Sequence, residues 1–75
     1  MIRFYIKELI SEKSFREGQV ITISEVAQHT GIHRMTLSKM VNKKGSSVTT
    51  DNIDKLCKYF ECEVSDVMRY VDSDD

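Results

Sequence analysis

Proline and tryptophan are absent from this 75-residue chain, cysteine occurs twice and glycine three times. Without proline, no helix interior is broken by a missing N–H. Two cysteines are too few for a disulfide scaffold. Cys57 and Cys62 are separated by four residues, which is neither a zinc-knuckle nor a thioredoxin spacing. Adding His29 and His33 makes four potential zinc ligands, but their separations match no standard motif, so no metal and no cofactor are expected. Long apolar runs are also missing. None approaches the roughly 20 residues of a membrane span, so no membrane association is expected. Charged Arg3, Lys7 and Glu8 fall within the first ten residues, where a cleavable signal would be apolar, and a cytoplasmic protein is expected.

Acidic residues are missing locally. The net charge is −1, but no Asp or Glu occurs between Val26 and Thr50, where about four would fall by composition. That stretch carries Arg34, Lys39, Lys43 and Lys44. Residues 1–47 hold eight basic and four acidic side chains, and residues 48–75 hold three and eight. The halves are thus +4 and −5, an asymmetry that suits a polyanionic partner or a solvated basic face.

What is present is helical periodicity punctuated by Gly18, Gly31 and Gly45. Ile2, Tyr5 or Ile6, Leu9 and Ile10 predict a first helix over about 2–14. Ser14–Ile21 reads as a connection; Gln19–Ile23 also suits a short strand, though its length and the cap that follows favour a loop. Thr22-Ile23-Ser24-Glu25 predicts a capping box, in which Thr22 accepts from the Glu25 amide and Glu25 reaches back. The second helix ends at Gly31, where a left-handed residue is needed. A third is predicted over about 33–41, with Leu37, Met40 and Val41 on one face. Thr49 or Thr50 caps a fourth, which buries Ile53, Leu56, Cys57 and Phe60. Val64, Val67, Met68 and Val71 mark a short fifth. The expected core is Ile6, Leu9, Ile10, Val26, Ala27, Ile32, Leu37, Met40, Ile53, Leu56, Cys57, Phe60, Val64 and Val67. The expected fold is all-α, five helices in one domain over residues 1–71 with an acidic tail at 72–75.

The segment from Thr22 to Asn42 meets the physical requirements of a helix-turn-helix. Ala27 is small where two helices cross, Gly31 takes the turn, and Ile32 and Leu37 brace the second helix against the first. The outward positions Arg34, Met35, Ser38, Lys39 and Asn42 are mostly cationic or hydrogen-bonding.

These residues resemble the lambda-repressor-like (Cro and phage-repressor type) helix-turn-helix DNA-binding domains. Thr22-Ile23, Val26-Ala27, Thr30-Gly31-Ile32, Arg34, Thr36-Leu37-Ser38 and Asn42 fit that pattern. So do Thr49, Ile53, Leu56-Cys57, Phe60, Cys62, Val64 and Val67. The resemblance implies base readout by Arg34, Met35, Ser38 and Lys39. It implies backbone contacts from Thr22, Thr36, Asn42, Lys43 and Lys44. Two positions depart from the pattern. Ile23 stands where the family often has a phosphate-binding glutamine. His33 stands at the third-helix cap, where it is expected to cap poorly and is free to donate to a phosphate.

The implied partner is double-stranded DNA, with no small-molecule substrate and no second effector domain. An inverted-repeat operator read by a homodimer is expected, with Met68, Tyr70 and Val71 on the fifth helix as the candidate dimer surface. Those three residues equally suit a core or an exposed edge, and a monomer is the alternative. The expected role is that of a small bacterial or phage transcriptional repressor. The alternative is a protein-interaction module of the same fold, antitoxin-like, using the acidic residues after Phe60. Catalysis is not expected. Ser38, His33 and Asp51 form no local nucleophile motif, no glycine-rich phosphate loop occurs, and the acid-free stretch holds no carboxylate pair.

Overall fold

The computed structural model describes residues 1–42 and 47–72. Five helices and one short ribbon follow in the order β1 (Ile2–Phe4), α1 (Ile6–Glu17), α2 (Ile23–Thr30), α3 (Arg34–Asn42), α4 (Thr50–Phe60), α5 (Val64–Val67) and β2 (Met68–Tyr70). The mostly helical, five-helix architecture agrees with the expectation from periodicity.

Each helix starts the same way. An apolar residue precedes the cap position, and a second apolar residue lies five positions on, the arrangement of a hydrophobic staple. The pairs are Phe4 and Leu9, Ile21 and Val26, Ile32 and Leu37, Val48 and Ile53, and Cys62 and Val67. Every one of these ten residues is buried or packs against the buried cluster. The caps themselves vary. Thr22 Oγ1 accepts from the Glu25 N–H at 3.1 Å, and Thr49 Oγ1 accepts from Asn52 at 3.1 Å. At α5 the bond runs the other way, from the Glu63 N–H to the Asp66 carboxylate at 3.1 Å. The expected capping box of α2 is half formed: Thr22 caps, but Glu25 makes no return bond and lies within electrostatic reach of Tyr59 instead.

Helix ends are equally regular. At α1 the Gly18 N–H donates to Phe15 and the Gln19 N–H to Ser14, the paired bonds of a Schellman motif. Gly18 is left-handed, φ 67°. At α4 the same two bonds run from Glu61 to Lys58 and from Cys62 to Cys57. There the left-handed position is held by Glu61, φ 53°, a conformation that disfavours any residue with a Cβ.

Three expectations are corrected. The first helix does not begin at residue 2. Ile2, Arg3 and Phe4 pair antiparallel with Tyr70, Arg69 and Met68, and Tyr5 donates its N–H to Val67 at 2.7 Å. The helix then runs on to Glu17, past the expected end, helped by the Lys13–Glu17 ion pair at 2.7 Å. At the other end, Met68, Tyr70 and Val71 are not on the fifth helix. Met68 and Tyr70 belong to β2, and Val71 exchanges backbone bonds with Met1. Pairing between the two ends of the chain overrides a local spacing that suits a helix equally well.

The core is Ile6, Ile21, Val26, Ile32, Leu37, Met40, Ile53, Leu56, Phe60 and Val67. Val64 was expected there but is 51% exposed, whereas Ile21, expected in a loop, is 4% exposed. The adjacent Val20 is 81% exposed. Ile21→Ala should therefore lower stability by about 2–5 kcal/mol. Val20→Ala should stay within about 0.5 kcal/mol. Urea unfolding of the two variants tests the pair, and equal losses would remove Ile21 from the core.

Candidate nucleic-acid interface

The candidate surface is the outer side of α3, and its position follows from the turn before it. Gly31 ends α2 in the left-handed conformation, φ 79°, with its N–H on the Ala27 carbonyl at 2.9 Å. A side chain at that φ is strained, so glycine suits the corner. Thr30 closes the turn from inside the chain. Its hydroxyl donates to the Val26 carbonyl at 2.7 Å and accepts from the Ile32 N–H at 3.2 Å. Ile32 then drops into the core, and the chain enters α3.

His33 occupies the cap of α3. Its carbonyl accepts from the Leu37 N–H at 3.2 Å, and its Nδ1 accepts from the Met35 N–H at 3.1 Å. The expectation of a poor cap is thus corrected: the ring nitrogen takes the part of a serine or threonine oxygen. An accepting Nδ1 belongs to the neutral imidazole that carries its proton on Nε2, so a donor remains on the far side of the ring.

Helical spacing sorts the residues of α3. Leu37 and Met40 are buried and Val41 is half-buried against the core. Arg34, Met35, Lys39 and Asn42 are exposed, and Ser38 and Thr36 are half-buried. Arg34, Ser38 and Asn42 recur every four residues, with Met35 and Lys39 beside them, so one helix side carries all five. Asn42 donates to the Ser38 hydroxyl at 3.4 Å, which leaves the Ser38 hydroxyl hydrogen able to donate outward. Met35 is 62% exposed, unusual for a large apolar side chain. No acidic residue lies in the first turn of α3.

The structure brings together five of the expected contact residues on one side of α3, with His33 at its cap, whereas Thr36 is half-buried and falls off that side. Thr22 is at the cap of α2, exposed and with its hydroxyl hydrogen uncommitted after the bond from Glu25. Lys43 and Lys44 lie outside the described residues. Ile23, where the pattern suggested a polar contact, is half-buried and packs on the core. Its side chain serves the fold.

Two supports of this surface escaped sequence reasoning. Ile21 fixes the entry of α2 from below. Tyr59 of α4 stacks on His29 at the end of α2, with ring centroids 5.9 Å apart, while Lys13 of α1 lies 4.9 Å from the Tyr59 ring centre. Burial pushes the Tyr59 hydroxyl above the usual tyrosine range, so the ring stays neutral while it braces three helices. The signal for Ile21 was available in its place before the Thr22 cap. The Tyr59 contact joins residues too distant in sequence to be read from spacing.

A family model described as the Cro/C1-type HTH DNA-binding domain matches residues 6–73. The HTH-type transcriptional regulator YozG of Bacillus subtilis (strain 168), itself uncharacterized, is 26% identical over 55 residues. That alignment covers 73% of this chain and 66% of YozG, so the chain spans just under two thirds of its relative. No solved structure matches. Because the family match takes in both helices of the turn and both helices after it, the chain belongs to the Cro/C1-type helix-turn-helix family, a family of DNA-binding domains and not of enzymes.

Proposed function

We propose that this protein is a sequence-specific transcriptional regulator, acting as a repressor, that lays α3 in the major groove of duplex DNA. The observation that carries the reading is the single side of α3 that presents Arg34, Met35, Ser38, Lys39 and Asn42 while Leu37 and Met40 anchor its other side. A groove about 12 Å wide admits one helix. At its leading end Arg34 has the donor pair that matches guanine O6 and N7, and Met35 offers apolar contact to a thymine methyl. Ser38 and Lys39 read one turn further on. Thr22, His33 through Nε2, Thr36, Asn42, Lys43 and Lys44 supply donors for phosphates on either side. The similarity to an HTH-type transcriptional regulator supports the regulatory role.

One recognition helix reads few base pairs, so a two-fold dimer on an inverted repeat is the natural arrangement, with half-sites about 34–36 Å apart. The ribbon supports this. Ile2 and Tyr70 face one another across it, and Tyr70 is 72% exposed. Met68 and Val71, half-buried on either side of Tyr70, complete the proposed dimer surface.

The deciding experiment is selection from random duplexes at about 150 mM salt, where phosphate-only binding weakens. An enriched inverted repeat is the expected result. Binding only at low salt, without enrichment, would favour the protein-interaction module instead. On the selected site, Arg34→Ala should cost about 1–3 kcal/mol and relax preference at one base position. Equal loss on every sequence would move Arg34 to a phosphate. Lys43→Ala should lower the salt slope by about one with sequence preference unchanged; an unaltered slope takes Lys43 off the DNA. Tyr70→Asp should leave thermal stability nearly unchanged but abolish cooperative occupation of the two half-sites, as seen by gel shift. Retained cooperativity would place the dimer contact elsewhere.

A further inference from the structure

The five helices differ in how their first turns are held. An acidic side chain complements the dipole in the first turn of α1 (Glu8), α2 (Glu25), α4 (Asp51) and α5 (Asp66). The first turn of α3 has none. A carboxylate there would repel the phosphates of DNA seated against α3. What holds the start of α3 is His33 Nδ1, which accepts from the Met35 N–H at 3.1 Å. Thr22 and Thr49 cap their helices with hydroxyls, which do not titrate. The His33 bond closes the turn that carries Arg34 and Met35, the leading residues of the proposed reading side.

We propose that His33 is a positioning residue for base readout, and that a second proton on its ring turns α3 from reading sequence to gripping phosphate. The inference rests on the proposed seating of α3 in the major groove. Neutral His33 has a lone pair at Nδ1 and a proton at Nε2, so it caps the helix and donates outward at once. An imidazole takes its second proton between about pH 5 and 8. That proton goes to Nδ1, because Nε2 already holds one, and it removes the acceptor facing the Met35 N–H. Two donors then oppose one another, and a positive charge stands at the positive end of the helix dipole. The leading turn loosens, while Ile32 and Leu37 in the core keep the rest of α3 in place. The same charge strengthens attraction to a phosphate. Base readout and backbone attraction therefore move in opposite directions, which a serine or threonine cap does not allow.

The neighbouring charges leave this one uncompensated. Arg34 and Lys39 on α3 have the same sign. Helices α2 and α1 pack on α3. Glu25 and His29 of α2 gather about Tyr59 with Lys13 and Glu17 of α1, and Arg16 lies beside Lys13. Glu8 pairs with Arg3, and Lys7 and Glu12 line a groove on the exposed side of α1. Among the described residues no ion pair includes His33.

The test follows the full chain at pH 8 and pH 5.5. In the DNA-free protein, NMR solvent exchange, corrected for its intrinsic pH dependence, reports on the Met35 amide. Its protection should fall about fivefold at the lower pH, the usual size of a lost side-chain cap. In His33→Asn, whose side-chain oxygen caps without titrating, protection should stay level. On DNA, the affinity ratio between the selected duplex and a scrambled one should fall about fivefold from pH 8 to pH 5.5. Binding to the scrambled duplex should tighten over the same interval, with a salt slope steeper by about one. His33→Asn should bind both duplexes more weakly at pH 5.5 than the unaltered chain does, yet hold a constant ratio. Three results would each overturn the proposal: Met35 protection indifferent to pH, a constant ratio in the unaltered chain, or an equal fall in His33→Asn, which would assign the effect to His29. An absence of discrimination already at pH 8 would instead overturn the sequence-reading role of α3, and this inference with it.

Discussion

The structure depends on one repeated arrangement: an apolar side chain just outside a helix and another on the second turn inside it, both in or against the buried cluster. All five helices have it, from Phe4 with Leu9 to Cys62 with Val67. In a chain of 75 residues, which buries only about 60% of its unfolded surface, the arrangement does two jobs at once. It contributes buried apolar area, and it sets the angle at which the chain enters each helix. The residue before the cap thereby belongs to both the loop and the core. The connections of three to five residues that lead into α2, α3 and α5 become directed ones, and the helices meet at defined crossings without long-range polar networks. No buried side-chain nitrogen or oxygen among the described residues lacks a partner, and no polar side chain is itself buried.

That constraint explains how a nine-residue helix can have the rigidity that the proposed DNA contact requires. An isolated helix shorter than about 12–15 residues is marginal in water. Here α3 is held at its start by Ile32 and Leu37 in the core, at its cap by His33, and from behind by α2, which Tyr59 steadies through His29. Apart from His33, none of these residues is required to touch DNA. They convert a marginal helix into a fixed one, so the entropy of ordering it is spent in folding and not in binding.

Much of this was legible in the sequence because it is local. Gly31, the Thr22 and Thr49 caps, and the spacing of Leu37 and Met40 against Arg34, Ser38 and Asn42 are read within a window of a few residues. The acid-free stretch pointed to the same surface. What was not legible has two physical causes. Met68 and Val71 fit a helical period by spacing, yet they pair with residues at the opposite end of the chain, and no local rule weighs a strand partner that far away. Ile21 and Val64 fell on the wrong sides of the burial line. An apolar residue before a cap was read as connection, and one at the start of a four-residue helix as core. His33 failed as a sequence judgement because capping preference is tabulated for side-chain oxygens, while the imidazole nitrogen has the same reach.

The β1–β2 ribbon has a consequence for the order of folding. Met1 and Val71 are 70 positions apart and exchange backbone bonds. The entropy of closing a loop rises with the logarithm of its length, so joining the ends of an unstructured chain of this size is among the least favourable first steps available. The packing of consecutive helices, α2 on α3 and α4 on α5, shortens that loop before it closes. The ribbon is therefore expected to form after the helices and to open before them. The second subunit of the proposed dimer would meet that edge only in chains whose helices are already assembled, so the proposed pairing is conditional on completed folding.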